Sequence, residues 1–148
     1  MPQATYYDIL QALKTEITPV VGGIPITIRK RPVFLTGDPL PSIVICPDDT
    51  VGEAVDFEAF CLETTYFYPV IVTLFEVGNR NQEVEVVNTL YLRQEIRNAI
   101  YRPSLTGVNS VYDIAMDTGA SYIQVEQRSN YDLTNFRVRY RSLETRGT

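Results

Sequence analysis

The stretch Tyr66-Phe67-Tyr68-Pro69-Val70-Ile71-Val72-Thr73-Leu74-Phe75-Glu76-Val77 decides the fold. Side chains alternate across a strand. Tyr66, Tyr68, Val70, Val72 and Leu74 therefore share one face, and Phe67, Ile71 and Phe75 the other. Both faces are apolar, which predicts a strand covered on both sides. Pro69 has no N–H to give to a ladder, so it is expected at an edge or a bulge. Upstream, Phe57–Leu62 reads as a separate strand or as an extension of this one, with Glu63-Thr64-Thr65 as the polar break. Downstream, Gly78-Asn79-Arg80-Asn81 ends it.

Other strands fall into place around this one. Phe136, Val138 and Tyr140 alternate with Arg137, Arg139 and Arg141, so one face is core and the other carries three guanidinium groups. Ser42–Cys46 is a compact apolar run between Pro41 and Pro47, the pattern of a short buried strand. Pro25–Arg29 predicts another short strand. Between them Arg29–Pro41 is a long connection with Pro32, Gly37, Pro39 and Pro41, and Gly37-Asp38-Pro39 is turn chemistry. Val111–Met116 and Tyr122–Glu126 read as strands, Asp117–Ala120 as a turn, Arg128–Tyr131 as a loop and Glu144–Thr148 as a loose tail.

Two segments have helical period. Tyr6, Ile9, Leu10, Leu13 and Ile17 make one apolar stripe, with Thr5 as the cap and Asp8 at the capping-box position. Pro19 and Gly22-Gly23 stop this helix. The second runs from about Gln82 to Ile100 and stops before Pro103, with Asn79 or Asn81 as its cap. Glu83 and Glu85 in its first turn and Arg97 and Arg102 near its end suit the helix dipole. Its apolar pattern is double: Val87, Leu90 and Tyr91 form one stripe, and Leu92, Ile96, Ala99 and Ile100 another. A helix lying on one sheet needs one stripe. Either loops half-wrap a broad face or one stripe meets a neighbouring subunit, with Leu92 and Ile96 as candidates.

The element order predicts an α+β domain spanning residues 1–148. Its sheet is expected to be mixed but mostly antiparallel, with two helices packed on one face. Its 148 residues match the usual size of about 100–200 for one domain. Hydrophobic residues are 45% and charged residues 21%, which excludes disordered, collagen-like and coiled-coil classes. No segment reads as a signal peptide or a membrane helix, so a reducing cytoplasm is the expected site of synthesis. Cys46 and Cys61 both sit in apolar runs and are expected to be buried and reduced.

Chemistry is hard to place. Thirteen Lys and Arg against 18 Asp and Glu give a net charge of −5, which disfavours a general nucleic-acid binder. There is no His, so the commonest general base and metal ligand is missing. Lys14 and Lys30 are the lysines, and neither is placed to serve as a desolvated base. Gly22-Gly23-Ile24-Pro25 lacks phosphate-loop spacing. Asp48-Asp49 lacks the spacing of a calcium loop and reads as a solvated turn. No catalytic residue, metal ligand or cofactor is expected. Two basic clusters remain: Arg29-Lys30-Arg31, and the stripe Arg137, Arg139 and Arg141. The stripe reads as a solvated face balanced by carboxylates on a neighbour, as a charged subunit interface, or as a phosphate contact. Ten Tyr and no Trp suit a protein with contact surfaces.

Tyr7-Asp8-Ile9-Leu10-Gln11-Ala12-Leu13, Pro41–Ile45, Tyr68–Leu74, Leu92–Arg97 and Phe136–Tyr140 come in an order and spacing that resembles the tail-terminator family of long-tailed bacteriophages. The resemblance spans the chain and lies in element order rather than in a diagnostic motif. It implies α+β subunits in a homo-hexameric ring that caps the tail tube and joins it to the head connector. It implies a virion protein at the tail–head junction, assembled in the bacterial cytoplasm, with no membrane partner. Arg29–Pro41 and Phe57–Thr65 would then contact the tube. DNA would pass through an acidic lumen without specific binding, because like charge avoids phosphate. The alternatives are another neck component, such as a head-closure or tail-completion protein, and a small ligand-binding α+β domain.

Overall fold

A computed structural model describes residues 5–49, 54–56, 63–78, 82–101, 111–115, 122–127 and 131–145. The elements, in chain order, are α1 (Thr5–Ile17), a 3₁₀ turn (Thr18–Val20), β1 (Ile26–Ile28), β2 (Ser42–Pro47), β3 (Ala54–Asp56) and β4 (Glu63–Val77). They continue with α2 (Glu83–Ile100), β5 (Val111–Ala115), β6 (Tyr122–Gln127) and β7 (Tyr131–Thr145). The strands form one sheet in the order β1-β2-β4-β7-β5, with β3 also on β4 and β6 also on β7.

The spine is the antiparallel pair of β4 and β7, 15 residues each, in register from Glu63 opposite Thr145 to Val77 opposite Tyr131. At ~3.4 Å per residue this ribbon is about 50 Å long. β2 flanks one half of β4 and β3 the other. β6 and β5 divide β7 in the same way. Among the described strands only β1 against β2 is parallel, so the sheet is mixed and mostly antiparallel, as the sequence predicts.

Both helices lie on one face. Ile9, Leu10, Leu13 and Ile17 of α1, with Ile96, Ala99 and Ile100 of α2, meet Ile43 and Ile45, Val70, Val72 and Leu74, and Phe136, Val138 and Tyr140. Each Val, Leu, Ile and Phe side chain among these stabilises the fold by ~1.5–3 kcal/mol through burial. Tyr140 is fully buried and its hydroxyl donates to the Ile100 carbonyl at 2.9 Å, satisfying one of the last acceptors of α2.

The opposite face explains the long Arg29–Pro41 connection. Two parallel neighbours need a crossover of a dozen or more residues. Here a loop crosses, and it covers sheet: Phe34 packs on Phe75 and Tyr131, with ring centroids 5.3 and 4.8 Å apart. On this face Thr73 donates to Asn135 at 2.7 Å, so these two buried side chains pair with each other. Cys46 is buried on this face and free. Burial, with help from Asp48 and Asp49, pushes its thiol pKa up to about 12.

Several expectations need correction. Pro69 sits inside the central strand, not at an edge or bulge. It occupies the seam where β2 ends, at Pro47 opposite Val70, and β3 begins, at Ala54 opposite Phe67. Its carbonyl accepts from Asp48 N–H and from the Tyr6 hydroxyl. The N and O of a strand residue point to the same side, so its nitrogen also faces this seam, where neither β2 nor β3 has a residue in register with it. Thr5 is the first helical residue rather than the cap, and Tyr6 in that turn packs on Tyr68. α2 is capped at Gln82, whose N–H donates to Glu85 at 2.9 Å, not at Asn79 or Asn81. β7 begins at Tyr131 and still holds Glu144 and Thr145, because the long β4 offers a partner along its whole length. β3 was not anticipated. Phe57–Leu62, with Cys61, and the Asp117–Ala120 turn lie outside the described residues.

Candidate assembly surfaces

The face of the sheet away from the helices carries the arginine stripe. Arg137, Arg139 and Arg141 stand opposite Ile71, Pro69 and Phe67 of β4. They are half-buried rather than freely solvated. Arg137 Nη1 donates to Asp48 Oδ2 at 2.7 Å, with the Asp48 side chain 3% exposed. The Arg139 guanidinium lies over the Phe67 ring, 4.5 Å from its centroid. Burial lowers the Arg139 pKa from its usual value. The reading of Asp48-Asp49 as a solvated turn is therefore wrong for Asp48. The missed signal is parity: Asp48 follows Val44 and Cys46 at every second position, on the face that the arginines occupy.

The second basic cluster divides. Arg29 reaches Asp38 with two hydrogen bonds, 2.6 and 2.8 Å, and donates to the Val33 carbonyl at 2.9 Å. Asp38 also accepts from Leu35 N–H at 2.8 Å, and its own N–H bonds the Leu35 carbonyl at 3.0 Å. That turn needs a positive φ at its third residue, which Gly37 supplies at 93°. Arg29 is thus a loop-closing residue. The hydrogen bond from Arg29 and that from Leu35 hold the Asp38 carboxyl down at about 2. Lys30 and Arg31 are exposed, as are Val33 and Leu35 on the same loop.

The two stripes of α2 have opposite fates, and the assignment of Ile96 to a subunit contact is corrected. Ile96 is fully buried in the helix-face core and Leu92 packs against that core. Val84, Val87, Leu90 and Tyr91 are the outward residues, at 60, 58, 54 and 63% exposure. The sequence already showed two stripes. Which one met the sheet depended on where α2 ends against Tyr140, a contact with no local signature.

Two concavities flank these surfaces. One, of about 330 Å³, runs along α2 and is lined by Glu76, Glu85, Asp132, Val86, Leu90 and Arg93 among others. In it Thr89 donates to Glu76 at 3.0 Å. The other, of about 390 Å³, lies where Lys30, Arg31 and Val33 meet Asp48 and Arg137. Among the described residues no group of three His, Cys, Asp or Glu is placed to hold a metal ion. No described helix is long and apolar enough to cross a membrane. What these described surfaces present is paired charges, a stacked guanidinium and uncovered apolar side chains.

No family model and no curated protein matches the sequence. The fold has counterparts among solved structures. It is similar to a chain in the virion of a native gene transfer agent particle, with a TM-score of 0.62 over 97% of this chain and 100% of that one, at 9% sequence identity.

Proposed function

We propose that this chain is a structural virion protein of a phage-like particle, a ring-forming subunit that caps the tail tube and joins it to the head connector. The observation that carries the reading is the end-to-end likeness of its fold to a chain of a gene transfer agent virion. The resemblance in element order to tail terminators supports the tube-capping position. The uncovered stripe on α2 and the exposed loop residues support assembly, since large contiguous apolar patches mark interaction sites. In this reading the subunit is not an enzyme. Six copies form the ring, its partners are the tail-tube and neck proteins, and DNA passes through a net-acidic subunit without specific binding.

The test uses the purified chain and polymerised tail-tube protein of the same particle, viewed by negative-stain electron microscopy. Rings seated on tube ends support the role. Rings bound only to head connectors would move the subunit to another neck position. Absence of any binding would remove the role.

A further inference from the structure

The helix α2 is apolar on two sides, and the chain covers one of them. Val84, Val87 and Tyr91 follow the i, i+3, i+7 spacing of one helix face, and Leu90 stands beside them. The groove along this helix is acidic on balance, with Glu76, Glu85 and Asp132 against Arg93. The other side of the sheet offers the complement. There Lys30 and Arg31 are exposed next to Val33 and Leu35, which are 44 and 49% exposed. Arg29, Asp38 and Phe34 hold this loop in shape, so little ordering is needed for it to bind. Each patch joins apolar side chains to a charge excess, acidic along α2 with Glu76, Glu85 and Asp132 over Arg93, and basic at the exposed Lys30 and Arg31 of the loop.

The two patches lie on opposite faces of the sheet. A twofold pair would need both on one self-complementary surface, so their pairing is head-to-tail and leads to a ring or a filament. We propose that the outer face of α2 seats the 30–35 loop of a second copy of this chain. Val33 and Leu35 cover Val87, Leu90 and Tyr91, while Lys30 and Arg31 face the groove of Glu76, Glu85 and Asp132. This rests on the ring reading above and adds the interface to it.

Cysteine cross-linking tests it directly. Val33→Cys and Val87→Cys, made in a Cys61→Ser background, replace exposed side chains, and Cys46 is too buried to react. With a short bismaleimide, the double variant should give a ladder of multimers. A mixture of the two single variants should give dimers only, and each single variant nothing above the wild-type background. Lys30→Glu with Arg31→Glu should weaken association at least tenfold. If either cysteine variant misfolds, Leu35→Cys with Tyr91→Cys repeats the measurement. No cross-link in the mixture, or self-cross-linking of a single variant, overturns the interface. Light scattering on the wild-type chain separates the two claims. A multimer without the cross-link defeats this interface and leaves the ring. A chain that stays monomeric and uncross-linked defeats both.

Discussion

Arg137 on the central strand β7 donates to Asp48, 89 residues away in sequence and just past the end of β2, at 2.7 Å. The Asp48 side chain is 3% exposed and that of Arg137 14%. Breaking a buried ion pair by removing one member costs ~3–5 kcal/mol. Asp48→Ala should therefore destabilise the chain by about 3 kcal/mol in urea unfolding. Arg137→Met combined with Asp48→Ala should cost clearly less than the sum of the two single changes. Additive costs would show that the pair carries no coupling.

Tyr140→Phe removes the hydroxyl that meets the Ile100 carbonyl at the end of α2. A buried acceptor left unsatisfied costs ~1–3 kcal/mol. The variant should unfold at lower denaturant with an unchanged slope, and faster amide exchange should appear first in the last turn of α2. An unchanged midpoint would mean that the hydroxyl does not hold the helix end.

The spine was legible because its signal is local. Tyr66–Val77 and Phe136–Arg141 are long alternating runs, and period two is hard to mistake over such lengths. α1 was legible for the matching reason at period 3.6. What escaped depends on neighbours remote in sequence. Pro69 is tolerated in a central strand because β2 stops and β3 starts beside it, and no property of Pro69 announces that. The outward side of α2 and the burial of Asp48 are likewise settled by partners 40 and 89 positions away, Tyr140 and Arg137. The candidate surfaces were thus half visible: their residue types were readable, their exposure was not.

The Arg29–Asp38 pair makes the crossover loop acid-sensitive. The Asp38 carboxyl is lowered from 3.8 to about 2, chiefly by the Arg29 hydrogen bonds. A carboxylate held below its ordinary value stabilises fully above that value, and the stabilisation is lost as pH falls through the lowered one. Closure of the loop should persist from neutral pH to about pH 4 and fade toward pH 2. Carbon-detected NMR titration of Asp38 should give a midpoint about 2, moving back toward 3.8 in Arg29→Met. A wild-type midpoint of 3.8 would contradict the pair.

Arg139→Glu should separate fold from assembly. Losing the guanidinium over Phe67 costs ~1 kcal/mol of stability. If the arginine face meets an acidic partner surface, the introduced like charge costs several kcal/mol there, and tube-end binding should fall by more than tenfold. Thermal melting and a tube-binding assay check the two halves. A variant that melts slightly lower yet binds normally would remove the arginine face from the contact.

The proposed role requires this chain to stop a tail tube at its end. The most direct measurement is the length distribution of tubes grown from tail-tube protein with and without it, read from electron micrographs. Added early, the chain should cap growing ends, giving shorter tubes with a ring at one end and no further growth when fresh tube protein is supplied. Tubes that keep lengthening to the same distribution, with bare ends, would contradict the account.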